Sequence, residues 1–321
     1  MRRHRPVPAT PPPAPAPAPI FTPTGIFASQ AWPGGSDSAL ERSDCRGALV
    51  RIAWDDIEPQ CDSFDWALLD SYVEAVTSRG KQFSLAILGG PRGTPAWLIN
   101  AAEDRYQINF RGVQYVTAAG WDVYYLQRLD IMANALAARY ASNTLLRLVY
   151  VTQATANGVE GHFNGTSAAA LQAQGFTAAT WIACSKAAAW SFARAFPQHA
   201  VAFEVHDVLD TQTIPAQIVT ELHAESGGQI GAAMWWIRGD TDYQPELVSF
   251  LRDFAGDVYA QCIGKSNDVD RFATAYEYLA ILDQARDIGI RYLEPWPYEF
   301  TAEWFAEDFA AFNAWADSTY A

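Results

Sequence analysis

The stretch Gly47-Ala-Leu-Val-Arg-Ile-Ala-Trp-Asp-Asp-Ile-Glu-Pro59, followed by Phe64-Asp65-Trp66, limits what this chain can fold into more than any other. Ala48 to Ala53 is a short, mostly apolar run of the kind that forms a parallel strand covered on both faces. Trp54, Asp55, Asp56 and Glu58 follow where that strand ends, and in α/β proteins ligands meet the carboxyl ends of strands.

The layout recurs along the chain. Residues 25–32 read as a first strand, 48–53 as the second, 83–88 as the third and 145–152 as the fourth. The fifth to eighth are expected over 200–205, 229–237, 257–263 and 289–293. A helix is expected over 65–79, where apolar residues at 66, 69, 72, 73 and 76 precede Gly80. Further helices are read over 122–140, 180–196, 214–224, 245–254, 269–288 and 302–317. Residues 89–97 are too rich in Gly and Pro to be regular, and 98–120 form an excursion with a hairpin at 106–116. Eight strands separated by helices predict an α/β fold, a (β/α)8 TIM barrel forming a single domain over 24–321. A doubly wound open sheet, the competing fold, carries a Gly-rich phosphate loop after its first strand, and no such loop is present.

Composition agrees. With 321 residues, 50% of them hydrophobic, the chain can bury the core of a barrel of ~250 residues. Its 22 basic against 36 acidic residues argue against nucleic acid or an anionic membrane as partner. No run of 18 apolar residues exists to span a membrane. Residues 1–23 are Pro- and Ala-rich, expected to be a disordered or extended tether. They begin like a signal peptide but lack its apolar segment, so a tether or a mis-called start is favoured over an export signal. The compartment stays open, with secretion or the periplasm plausible. Cys45, Cys61, Cys184 and Cys262 show no metal-ligand spacing. Cys45 and Cys61 flank a strand spanning roughly 26 Å, too far for a disulfide. All four are read as free thiols.

In a barrel, the residues after each strand share one rim. That rim collects Asp55, Asp56, Glu58, Arg92, Trp97, Glu160, His162, His206, Asp207, Trp236, Arg238, Asp240, Lys265, Glu294, Trp296 and Glu299. Paired carboxylates among aromatic rings are what hydrolysis of a glycosidic bond requires. One protonates the leaving oxygen, and the other supports the cationic transition state or attacks the anomeric carbon.

The run Val50-Arg-Ile-Ala-Trp-Asp-Asp-Ile-Glu-Pro59, with Phe64-Asp-Trp-Ala-Leu-Leu-Asp70, Arg79-Gly-Lys81 and Pro95-Ala-Trp97, resembles clan A glycoside hydrolases. These are retaining β/α barrels that include relatives of cellulases and β-galactosidases. The likeness is best over 25–160. It implies an acid/base Glu after strand four and a nucleophilic Glu after strand seven. Glu160, in Asn157-Gly-Val-Glu160, takes the first role. Strand seven departs from the pattern, since Ala260-Gln-Cys-Ile-Gly-Lys265 offers no carboxylate, and Glu294 after strand eight is the substitute.

The expected substrate is a β-linked oligosaccharide or polysaccharide, with no cofactor. Trp54, Trp97, Trp236 and Trp296 are candidate stacking platforms. Asp55, Asp56, Arg92, His162, His206 and Arg238 are candidate substrate-binding groups. Each has a plainer alternative. Glu160 would cap a turn, Glu294 would pair with Arg238 or Arg51, the tryptophans would pack, and Glu58 would shape the turn before Pro59. His162 and His206 lack a third ligand at metal spacing, so no metal site is expected. Two competing functions remain. One is a glycan-binding barrel without turnover. The other is a Schiff-base enzyme using Lys265, for which no phosphate site is present.

Overall fold

The computed structural model describes residues 19–320, apart from Ala31, Pro33 and Ala302; the expected tether over 1–18 lies outside them. Among the described residues ten strands form, in chain order β1 (Gly25–Ala28), β2 (Gly47–Ala53), β3 (Gln82–Leu88), β4 (Arg105–Phe110), β5 (Val113–Ala118), β6 (Leu146–Tyr150), β7 (Ala200–Glu204), β8 (Ile230–Ile237), β9 (Val258–Cys262) and β10 (Ile290–Glu294). Eight of them close into a parallel barrel in the order β1-β2-β3-β6-β7-β8-β9-β10, sealed by Gly25 opposite Tyr292. The expected TIM barrel is therefore the fold.

The strands read as apolar runs because both faces are covered. Toward the helices point Val50, Ile52, Leu85, Ile87, Phe203 and Met234, part of one large cluster. A second cluster fills the barrel with Phe27, Leu49, Ala86, Leu148, Tyr150, Ala202, Trp235, Tyr259 and Tyr292. The alanines make room for the rings, which interleave small and large residues across the taper. Buried tyrosine hydroxyls need partners, and that requirement shapes the barrel floor below.

Helices flank the strands where their caps begin. Asp122 accepts from the Tyr125 amide and starts Val123–Tyr140, while Thr177 and Thr180 form a reciprocal capping box for Ala178–Ala195. The expected helix over 269–288 starts later, at Ala275, because the Thr274 hydroxyl caps it there. The first strand is shorter than expected, ending at Ala28. The excursion after β3 contains the expected hairpin, β4 and β5, joined by the two-residue turn Arg111-Gly112. Phe21 extends the sheet at the foot of β7, its amide donating to Gln198 O (2.7 Å) and its carbonyl accepting from Ala200 (3.0 Å). All four cysteines are free thiols.

Candidate active site

A cleft of about 910 Å³ opens at the carboxyl ends of the barrel strands. That volume is in the range of small-molecule sites. Glu160 reaches it from the loop after β6. This loop is fixed by its own backbone: Asn157 Oδ1 accepts from the amides of Val159 (3.1 Å) and Glu160 (2.9 Å), and its amide group donates to Glu160 Oε2. Gln153 reinforces it by donating to Val159 O (2.7 Å) and Glu204 O (2.9 Å). Gly158, at φ 87°, lies against the Gly89 backbone so closely that a Cβ would sit 2.0 Å from Gly89 N. Only glycine fits there.

Two imidazoles face Glu160. His162 Nε2 lies 3.7 Å from Glu160 Oε2, and its Nδ1 accepts from the Asn164 amide (3.2 Å), which leaves the proton on Nε2. His206 Nε2 bonds Tyr243 OH (2.9 Å), while its buried Nδ1 has no hydrogen-bond partner and lies 3.8 Å from Glu204 Oε1. Glu204 ends β7 and accepts from the amides of Gly161 (2.6 Å) and Trp235 (3.1 Å). Burial alone would raise the Glu160 carboxyl, but His162, His206 and Asn157 outweigh it and hold Glu160 below its ordinary value. Burial pushes Glu204 up, against the pull of His206. Burial would lower His206, yet Glu204, Glu160 and Asp207 raise it.

Ligand atoms of Glu160, Glu204 and His206 lie within 4.8 Å of one another, a set that could hold a divalent cation. The sequence offers His206 no third ligand at metal spacing; the fold brings two carboxylates to it from β7 and the β6 loop. Parity along β7 places Glu204 on the inward face with Ala200 and Ala202, which is the signal that would have found it.

Glu294 has different surroundings. It is fully buried at the end of β10 and does not line the cleft. Its oxygens accept from Tyr150 OH (3.0 Å), Tyr292 OH (2.5 Å) and Gln261 Nε2 (2.7 Å). Burial raises its carboxyl from 4.5 to about 7, despite those three donors and the Arg51 charge. Neither Arg51 nor Arg238 pairs with it: Arg51 donates to Gln30 (2.9 Å), and Arg238 pairs with Asp240 (2.7 Å). Glu294 is the acceptor that satisfies the barrel tyrosines. Gln261, from β9, lines the cleft above it, where the resemblance implies a nucleophile.

Of the other expected site residues, Asp56, Arg92, His162, His206, Trp236 and Trp296 line the cleft. Trp54 does not. The residues after β2 make one helical turn that buries its ring completely, with Nε1 donating to Glu58 (2.8 Å). Trp97 donates to Glu58 O (2.9 Å) under the Arg128 guanidinium, so its ring belongs to the outer layer. Glu58 pairs with Arg128 in the protein interior, the structural role expected for it. Asp55 is exposed beside the cleft, and Arg238 lines a smaller hollow with Asp268 and Asp270. Trp236 is only 2% exposed, packed edge-on by His206 and Tyr243, with no open face for a sugar. Trp296 is half-buried beneath the Arg51 guanidinium. The cleft also takes residues that sequence reasoning did not assign to binding: Arg51, Phe110, Arg111, Asn164, Tyr243, Gln261 and Arg271.

A parallel β/α barrel with carboxylates, imidazoles and aromatic rings at its carboxyl rim has the layout of the clan A glycoside hydrolases, and the resemblance carried by the stretch around Trp54 is borne out. The β-galactosidase family matches residues 43–167, less than half of the chain. Among solved structures, a β-galactosidase from the psychrophilic Marinomonas ef1 aligns with a TM-score of 0.55 at 11% identity, covering 84% of this chain and 53% of that one. The exo-β-1,4-mannosidase Op5Man5 from Opitutaceae bacterium strain TAV5 aligns at 0.53 and 15% identity, covering 91% and 60%. Xylanase 10B from Thermotoga petrophila RKU-1, solved with xylobiose, aligns at 0.56 and 13%, covering 85% and 82%. At such identities the likeness to these structures is one of fold, and the chain spans little more than half of the first two. No curated protein sequence matches the chain.

Proposed function

We propose that this barrel is a glycoside hydrolase acting on a β-linked oligosaccharide or polysaccharide. The observation that carries the reading is Glu160, an ionisable carboxyl held in the cleft wall by Asn157 and flanked by two imidazoles. In this reading His206, held above its ordinary value, supplies a proton that Glu160, ionised at rest, passes on to the leaving oxygen. Glu294 is the second carboxyl of the pair. Its anion, present above pH about 7, supports the positively charged transition state from beneath Gln261.

The test is release of aryl alcohol from a panel of aryl β-glycosides by the wild type and by Glu160→Gln. Loss of turnover in the variant supports the reading, and equal rates overturn it. A second reading, a glycan-binding barrel without turnover, is favoured by one observation: Gln261 stands in the cleft where a nucleophile is implied, and Glu294 is hidden behind it. Binding without hydrolysis by the wild type, with hydrolysis appearing in Gln261→Glu, would establish that alternative.

A further inference from the structure

The chain carries a net charge of −14, yet its cleft is lined by Arg51, Arg92, Arg111 and Arg271 against only Asp56 and Glu160 as carboxylates. Outside the cleft, the described arginines other than Arg105 and Arg147 are paired with carboxylates. Among the described residues, those with no carboxylate within ion-pair distance are Arg51, Arg92, Arg105, Arg111 and Arg147. Three of these five face the cleft. Arg92 and Arg111 place like charges in one concavity beside Arg51, whose charge Glu294 and Glu160 offset in part, and an anionic ligand relieves the repulsion among them.

The backbone holds these groups in place. Arg111 occupies the hairpin tip at φ 53°, a left-handed conformation that costs a non-glycine residue about 1 kcal/mol, and its guanidinium lies over the Phe110 ring at 5.1 Å. Arg92 projects from a single turn, Gly90–Gly93, whose Gly90 packs against the Thr155 carbonyl. Arg51 is half-buried on the Trp296 ring at 5.3 Å and, among the described residues, donates a hydrogen bond to Gln30 alone, so N–H groups remain to offer. A planar guanidinium fork matches a carboxylate or a sulfate in two parallel hydrogen bonds, where a neutral hydroxyl uses one.

We propose that the cleft binds a β-linked oligosaccharide bearing anionic groups, carboxylate or sulfate, and that Arg51, Arg92 and Arg111 receive them. This rests on the carbohydrate reading above and names the class of sugar within it.

Three ligands on one backbone test it: cellohexaose, the same hexamer oxidised to the uronate at C6, and its O-sulfated form. Each is titrated calorimetrically into the full chain at low salt and at about 1 M salt, where charge attraction is screened beyond about 3 Å. At least one anionic form should bind ~10-fold more tightly than cellohexaose, the ratio expected of one charge-assisted contact. The advantage should collapse at high salt and in the Arg92→Gln/Arg111→Gln double variant, with an unchanged melting temperature showing that the variant folds. Tighter binding of the uronate identifies carboxylate as the anion, and tighter binding of the sulfated form identifies sulfate. Any other outcome overturns the proposal, including no binding of any ligand. Anionic preference without release of reducing ends would leave it standing and remove the hydrolase reading. Hydrolysis of cellohexaose with no anionic preference would do the reverse.

Discussion

At the ends of β6 and β7, Glu160 meets two imidazoles and an amide at the wall of an open cleft, and they hold it ionised. At the ends of β9 and β10, Glu294 meets two tyrosine hydroxyls and an amide in the closed barrel, and burial keeps it protonated up to about pH 7. Both carboxyls receive several hydrogen bonds. Neutral donors do not offset the loss of water at Glu294, whereas the two imidazoles and Asn157 do at Glu160.

The largest effect expected from this contrast is catalytic. Glu160→Gln should lower kcat/KM on aryl β-glycosides by ~10²–10⁴-fold, the usual contribution of a positioned proton donor. Glu294→Gln should cost only ~10-fold, since it removes a charge one side chain away from the sugar. Equal losses in the two variants would break the comparison.

Next is the pH dependence of stability. Folding raises the Glu294 carboxyl from 4.5 to about 7, so the folded state prefers the protonated form. Its stabilisation is complete below pH 4.5 and is lost as pH rises to about 7, a change of about 3 kcal/mol. Urea midpoints measured across that window should fall with pH in the wild type, and this component should vanish in Glu294→Gln. A slope that survives the substitution would place its origin elsewhere.

Asn157→Ala sharpens the rim side. It frees the Val159 and Glu160 amides and removes a donor to Glu160, so kcat should fall ~10-fold with a stability change of about 1 kcal/mol. The smallest effect belongs to the floor. Tyr292→Phe deletes the hydroxyl shared by Ser84 and Glu294 and should destabilise the protein by about 1 kcal/mol in chemical denaturation. It should also push the Glu294 carboxyl further up, because a donor to the anion is lost.

The barrel was legible because strands covered on both faces leave apolar runs, and because a residue such as Gly80, at φ 68°, marks where a helix ends. The rim was legible only as a set of positions. Trp54 and Trp296 both follow a strand, yet one is sealed inside a helical turn and the other reaches the cleft. That difference is set by the turn geometry after each strand. Glu204 and Gln261 occupy strand ends whose inward parity was readable, but their value as neighbours of Glu160 and Glu294 arises from register between strands distant in sequence. Arg111 comes from an excursion outside the eight-fold repeat, where no strand position indicates its direction.

The hairpin that carries Arg111 has a consequence of its own. Its two strands pair with each other and not with the barrel, which they meet through side-chain bonds such as Tyr106 to the Ala154 carbonyl and through the Thr166 and Gln174 contacts. Its tip, Arg111-Gly112, is exposed and can vary without shifting a strand of the barrel, so the charge offered to a ligand can diversify, whereas Tyr106, Ile108 and Phe110 are anchored in the core, Phe110 against His162.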